Sequence, residues 1–221
     1  MDEKVLYQKY GRAVLAADRA KCRAVLRRAR GLNLSVADLL GRFVWNTQRK
    51  IDILFRKDQL TRLEESLATW TNRLEADWLR TLLVPSGETG QKAVLCCTTT
   101  EAGCLGAQIC SDLLGINGWE TPVLGGGIAS DEIAAYLGRV RPKLVALYGI
   151  GPKNLVYSKG LIHHLKQRLF RPRPRIVAVG GIFSRASDLW DVIGADAFAD
   201  DPHTLSSLAE NLINHQLTAE C

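Results

Sequence analysis

The sequence predicts an α/β protein in two parts, a helical bundle over residues 1–84 and a parallel-sheet domain over residues 93–221. Three observations carry this expectation. Apolar residues up to residue 84 recur at helical three- and four-residue steps. The run Pro85-Ser86-Gly87-Glu88-Thr89-Gly90 then breaks that rhythm with linker residues, so 85–92 reads as a connection. Beyond it, short Val-rich apolar segments alternate with helical patterns, the signature of a parallel sheet covered on both faces.

In the first part, Val5, Ala13, Val14, Ala17 and Ala24–Leu26 form one apolar series that Gly31 ends. Ser35-Val36-Ala37-Asp38 reads as the capped start of the next helix, which carries Leu39, Leu40, Phe43, Val44, Ile51 and Phe55. A third begins near Asp58, with Leu60, Leu63, Leu67, Trp70, Leu74 and Trp78 expected to face a core. Short turns between such helices predict a four-helix bundle. In the second part the expected strands are 93–98, 120–124, 143–148, 175–179 and 195–199, which makes five. Helices are expected to start near Cys104, Ser130, Asn154, Arg185 and His203.

Composition narrows the function classes. With 47% hydrophobic and 24% charged residues the chain has the makings of a real core. Its apolar runs, such as 93–97 and 144–148, are too short to span a bilayer, and the charged opening Asp2-Glu3-Lys4 is unlike a signal peptide. The expected location is therefore the cytoplasm. The formal charge of +6 comes largely from Arg19, Lys21, Arg23, Arg27, Arg28 and Arg30 and from Arg171, Arg173 and Arg175. Solvated helix faces account for such clusters, and no nucleic-acid motif accompanies them. Six cysteines show no Cys-x-x-Cys pair and no histidine at zinc spacing, so a structural metal site is not expected. No triad or paired carboxylate stands out either, which leaves independent catalysis without a candidate.

Ligands of parallel α/β sheets settle at the carboxyl ends of the strands. The loops there contain Thr100, Glu101, Gly103, Cys104 and Gly106; Gly125 and Gly126; Tyr148, Gly149 and Ile150; and Gly180 and Gly181. They lack the three-glycine dinucleotide fingerprint, which argues against a nicotinamide or flavin. Glycine in such loops lets a planar ligand or a phosphate approach the backbone.

Taken in order, Leu113–Glu120, Leu124-Gly125 with Ser130–Ile133, Arg141–Leu147, Val179–Gly181 and Ile193–Ala199 resemble the cobalamin-binding domain of corrinoid proteins. The N-terminal part is similar to the helical cap that precedes this domain. The resemblance implies a Rossmann-like five-stranded sheet and a corrinoid, or another tetrapyrrole such as haem, at its carboxyl edge. It also shows where this chain departs from the pattern. The family's Asp-x-His-x-x-Gly motif stands here as Glu101, Gly103 and Gly106, so the histidine that ligates cobalt is replaced by a residue with no donor atom. Cys104 is the nearby residue able to offer a thiolate. The family's Ser-x-Leu element, which lines the channel for the nucleotide tail, stands as Tyr148-Gly149-Ile150. In the cap, Phe55, Glu65 and Ser66 occupy the positions of a light-sensing Trp…Glu-His motif; Phe55 and Trp45 are candidates for ligand contact or for plain packing.

The expectation is a tetrapyrrole-binding regulatory module, for cobalamin first, without histidine ligation and acting through a protein partner. A corrinoid carrier for methyl transfer and a ligand-free interaction protein on the same fold are the alternatives.

Overall fold

The computed structural model describes residues 2–84, 86–98, 104–149, 152–153, 155–169, 171–180, 183 and 188–217. The chain divides into two compact units, residues 1–84 and 85–221.

The first unit contains α1 (Glu3–Leu15), α2 (Arg19–Arg30), α3 (Val36–Asp38) running through a π-helical stretch (Leu39–Val44) into α4 (Trp45–Arg56), and α5 (Arg62–Arg80). The single apolar series expected to run to Gly31 is thus broken into two helices. Ala17 takes a left-handed φ of 52°, and Asp18 restarts the helix by accepting the Lys21 N–H at 3.0 Å. A reciprocal Ser35–Asp38 capping box starts α3, and a Thr61–Glu64 box starts α5. The first residue of α5, Arg62, therefore falls four residues beyond Asp58, which sits in the preceding turn at φ 53°.

The expected inward face of α5 is corrected. Leu63, Leu67 and Trp70 are 69%, 50% and 57% exposed, while Ala68, Thr69, Asn72, Glu75, Ala76 and Leu79 are buried. Specific polar partners account for the choice. Asn72 accepts from the buried Tyr10 hydroxyl at 2.9 Å and donates to the Val44 carbonyl at 3.0 Å. Glu75, fully buried, accepts two bonds from the Arg23 guanidinium, at 2.6 and 3.2 Å. That guanidinium also lies 4.2 Å above the Trp78 ring. A buried polar group without partners costs more than exposing a leucine, so this network sets the helix's rotation.

The second unit alternates β1 (Ala93–Cys97), α6 (Leu105–Ile116), β2 (Val123–Leu124), α7 (Ser130–Val140), β3 (Leu144–Tyr148), α8 (Leu155–Arg168), β4 (Arg175–Val179), α9 (Leu189–Val192), β5 (Ala197–Ala199) and α10 (Pro202–Leu217). The five strands pair in parallel in the order β2-β1-β3-β4-β5. β2 is shorter than expected, with Glu120 making only a bridge to Lys92; Pro122 has no N–H to extend the ladder. β5 begins at Ala197, directly after Asp196, whose side chain is a hub. The Asp196 carboxylate accepts two bonds from Arg173 (2.8 and 3.0 Å) and one from the Ile176 N–H (2.8 Å), and lies 3.1 Å from Lys166 Nζ. Burial alone would raise this carboxyl, but the bonds from Arg173, Ile176 and Lys166 outweigh it and hold it below the ordinary carboxylate range.

Alternation along the strands sends Val94, Cys96, Val145, Leu147, Ile176 and Ala178 into one core with Ile133, Leu137, Leu161, Ile162 and Leu165 of α7 and α8. Each Val, Leu or Ile side chain among them, fully buried, contributes about 1.5–3 kcal/mol. On the other side, α10 packs against α6. No described helix is long and apolar enough to cross a membrane.

Candidate functional site at the carboxyl edge of the sheet

β1 is followed in sequence by a neighbour on one side, β2, and later by β3 on its other side. The carboxyl ends of β1 and β3 therefore flank the topological switch point, the place where ligands of such sheets bind. Register places Cys97 beside Tyr148, Tyr148 beside Val179 and Val179 beside Ala199. Thr98 extends the join, donating its N–H (2.8 Å) and its hydroxyl (3.0 Å) to the Tyr148 carbonyl.

Gly149 and Gly180 follow β3 and β4 at φ 83° and 60°, a region that glycine enters without steric cost. Gly180 is anchored by its N–H to the Ala199 carbonyl at 2.8 Å. Gly125 and Gly127 after β2 face open space, since a β-carbon at either would meet nothing within 4 Å. Beside that second loop, Leu124, Ile128, Glu132, Ile133, Ala135, Tyr136 and Arg139 line a cleft of about 530 Å³.

Gly106, in the first turn of α6, is a different case. A β-carbon there would lie 2.1 Å from Tyr148 Cζ and Oη and 2.5 Å from Cε2. The Tyr148 ring thus rests on the Gly106 backbone, and the chain's own aromatic takes up the room the glycine makes. Cys104 precedes α6, with its sulfur 2.6 Å from that of Cys97. Its thiol is turned to the end of β1. No cluster of three metal-ligating side chains occurs among the described residues.

Among the sequence candidates, Cys104, Gly106, Tyr148, Gly149 and Gly180 gather at this edge, with Gly125 and Gly126 following β2. Thr100, Glu101, Gly103, Ile150 and Gly181 lie outside the described residues. Phe55 and Glu65 belong to the first unit, where the Arg62 guanidinium sits 5.7 Å over the Phe55 ring and 3.4 Å from the Glu65 carboxylate. Trp45, also in the first unit, is 3% exposed. His163 and His164 have local partners, Gln167 at 2.9 Å and Asp131 at 3.0 Å. Sequence reasoning passed over Cys97 and Thr98. The signal for Cys97 was present, because adjacent strand residues face opposite sides and one of Cys96-Cys97 had to face α6.

A doubly wound parallel sheet of this strand order with a helical unit ahead of it in sequence is an architecture found among cobalamin-binding proteins. Solved structures bear this out at the level of fold. The monomethylamine corrinoid protein of Methanosarcina barkeri superposes with a TM-score of 0.78 at 14% identity, covering 94% of this chain and 98% of its own. A cobalamin-binding protein from Desulfitobacterium hafniense DCB-2 follows with a TM-score of 0.51 at 17% identity, covering 93% and 98%. No protein-family model matches the sequence, and no curated protein matches it.

Proposed function

We propose that this protein binds a cobalamin-type corrinoid at the carboxyl edge of its sheet without supplying a ligand to the cobalt, and that it acts as a regulatory module through a protein partner. The observation that carries the reading is the fold itself, shared along nearly the whole length with a corrinoid protein, with its topological switch point at β1/β3 and Gly149 and Gly180 following β3 and β4. The residues present fit a planar ring laid against glycine backbone. They do not supply the family's histidine ligand, since Gly103 stands at its position and has no donor, and the Cys104 sulfur faces Cys97. A bound corrinoid would therefore be held without a cobalt ligand from position 103 or from Cys104. A bound corrinoid brings alkyl-cobalt chemistry; the chain's residues supply shape and water exclusion.

A second reading, a carrier for methyl transfer, is favoured by the likeness to the monomethylamine corrinoid protein. One experiment separates the two and tests both. The purified protein is mixed with hydroxocobalamin, methylcobalamin, adenosylcobalamin or haemin, desalted, and its visible spectrum recorded. Retained corrinoid with a base-on or water-ligated spectrum supports the first reading. A retained base-off methylcobalamin supports the carrier. Retention of haemin alone overturns both in favour of a haem binder, and retention of none of the four overturns both and leaves the fold as an interaction platform.

A further inference from the structure

We propose that Cys97 and Cys104 form a reversible dithiol–disulfide pair that joins the end of β1 to the start of α6. This proposal stands whether or not a corrinoid binds.

The geometry is specific to these two residues. Their sulfurs lie 2.6 Å apart, within roughly 0.6 Å of a covalent S–S distance of about 2.05 Å. Cys97 is the last residue of β1 and Cys104 immediately precedes α6, so both are held by regular structure on either side of the intervening loop. Cys96, next in sequence, points the other way, into the core under α7 and α8. Cys110 lies farther along α6 and is fully buried.

The surroundings divide the roles. Cys104 is half-exposed and immediately precedes the 12-residue helix α6. Cys97 is 6% exposed, shielded from reagents but in contact with its partner's sulfur. Accessible attacking thiol and sheltered resolving thiol is the arrangement that two-step exchange requires. Burial sets the neighbours apart, pushing the Cys96 thiol up to about 12 and the Cys110 thiol higher still. Those two remain protonated and inert.

The reaction balances with a low-molecular-weight disulfide, RSSR, as oxidant. The Cys104 thiolate attacks one sulfur of RSSR, forming a mixed disulfide and releasing RS⁻, which takes up the proton lost by Cys104. The Cys97 thiol, as it loses its proton, attacks the Cys104 sulfur and expels the second RS⁻, which accepts that proton. Two protein thiols are oxidised, and one RSSR is reduced to two RSH. The bond closes a ring from residue 97 to residue 104, which by connectivity includes Glu101 and Gly103.

The test uses the whole reduced protein, equilibrated without denaturant in glutathione buffers from fully reduced to fully oxidised. Samples are acid-quenched, alkylated and cut after glutamate. Cleavage after Glu88, Glu101 and Glu120 places Cys96 and Cys97 on peptide 89–101 and Cys104 and Cys110 on peptide 102–120. The expected result is a covalent 89–101/102–120 pair that rises as the buffer is oxidised and is lost on reduction. Fragmentation should assign the link to Cys97 and Cys104. Cys97→Ser and Cys104→Ser should abolish it, and Cys96→Ala should leave it. Two separately alkylated peptides at the oxidised end would overturn the proposal. So would a link that fragmentation assigns to Cys96 or Cys110, a result that does not depend on any variant folding.

Discussion

Replacing Asp196 by Asn keeps the shape of the side chain and removes its charge, and the structure sets what that should cost. In the native protein the carboxylate, 8% exposed, faces Arg173 and Lys166, each about one-third exposed (32% and 31%), and accepts the Ile176 N–H. An amide there retains one acceptor and turns two N–H donors toward cations. Breaking a buried pair costs about 3–5 kcal/mol. Because both cations can reach water, the expected loss is lower, about 2–3 kcal/mol at neutral pH. Urea denaturation should show it as a lower midpoint at unchanged slope. The pH dependence supplies the sharper test. The folded carboxyl titrates below its unfolded value, so its stabilisation is complete above the unfolded pKa of about 3.9. It is then lost as the pH falls through the folded pKa. The gap between native protein and Asp196→Asn should accordingly be flat from about pH 7 to pH 5 and shrink below about pH 4. A neutral-pH gap under about 1 kcal/mol, or one that widens on acidification, would refute the hub assignment.

Three further outcomes follow from named contacts. Arg23→Ala should cost about 3 kcal/mol by leaving the fully buried Glu75 without its guanidinium; adding Glu75→Gln should recover part of the loss, and a double-mutant cycle with no coupling would contradict the pairing. Gly106→Ala should destabilise by about 1–3 kcal/mol because its β-carbon meets the Tyr148 ring. In a Tyr148→Ser background the same change should be neutral or stabilising, by up to about 1 kcal/mol of helix propensity, so an equal loss in both backgrounds would exclude the ring as the cause. Tyr148→Ser by itself should raise the affinity for a base-off corrinoid in a spectroscopic titration; unchanged or weaker binding would sink the idea that the ring obstructs a nucleotide tail.

Legibility in the sequence differed from element to element. Strands such as Val94-Leu95-Cys96 and Leu144–Leu147 are apolar on both faces, a pattern that local sequence states outright. Ser35–Asp38 and Thr61–Glu64 cap their helices through residues three apart, so those starts are also local facts. The rotation of α5 was not legible. Leucines and tryptophans at helical spacing read as a core stripe, but the buried face is chosen by Tyr10 and Arg23, residues 62 and 52 positions away from their partners on α5. At the site, Gly106 read as a ligand cradle, and its neighbour proved to be Tyr148, on another strand.

The sequence by itself determined the helical first part, the alternating strands and helices of the second, and the absence of a donor at position 103. Those properties reside in periodicity, caps and residue identity, each within a few neighbours along the chain. The tertiary structure alone decided the strand order, the seating of Tyr148 on Gly106, the meeting of Cys97 with Cys104 and the gathering of three groups on Asp196. These join residues that only the winding of the sheet brings together, and no local propensity encodes which side of β1 the next strand will take.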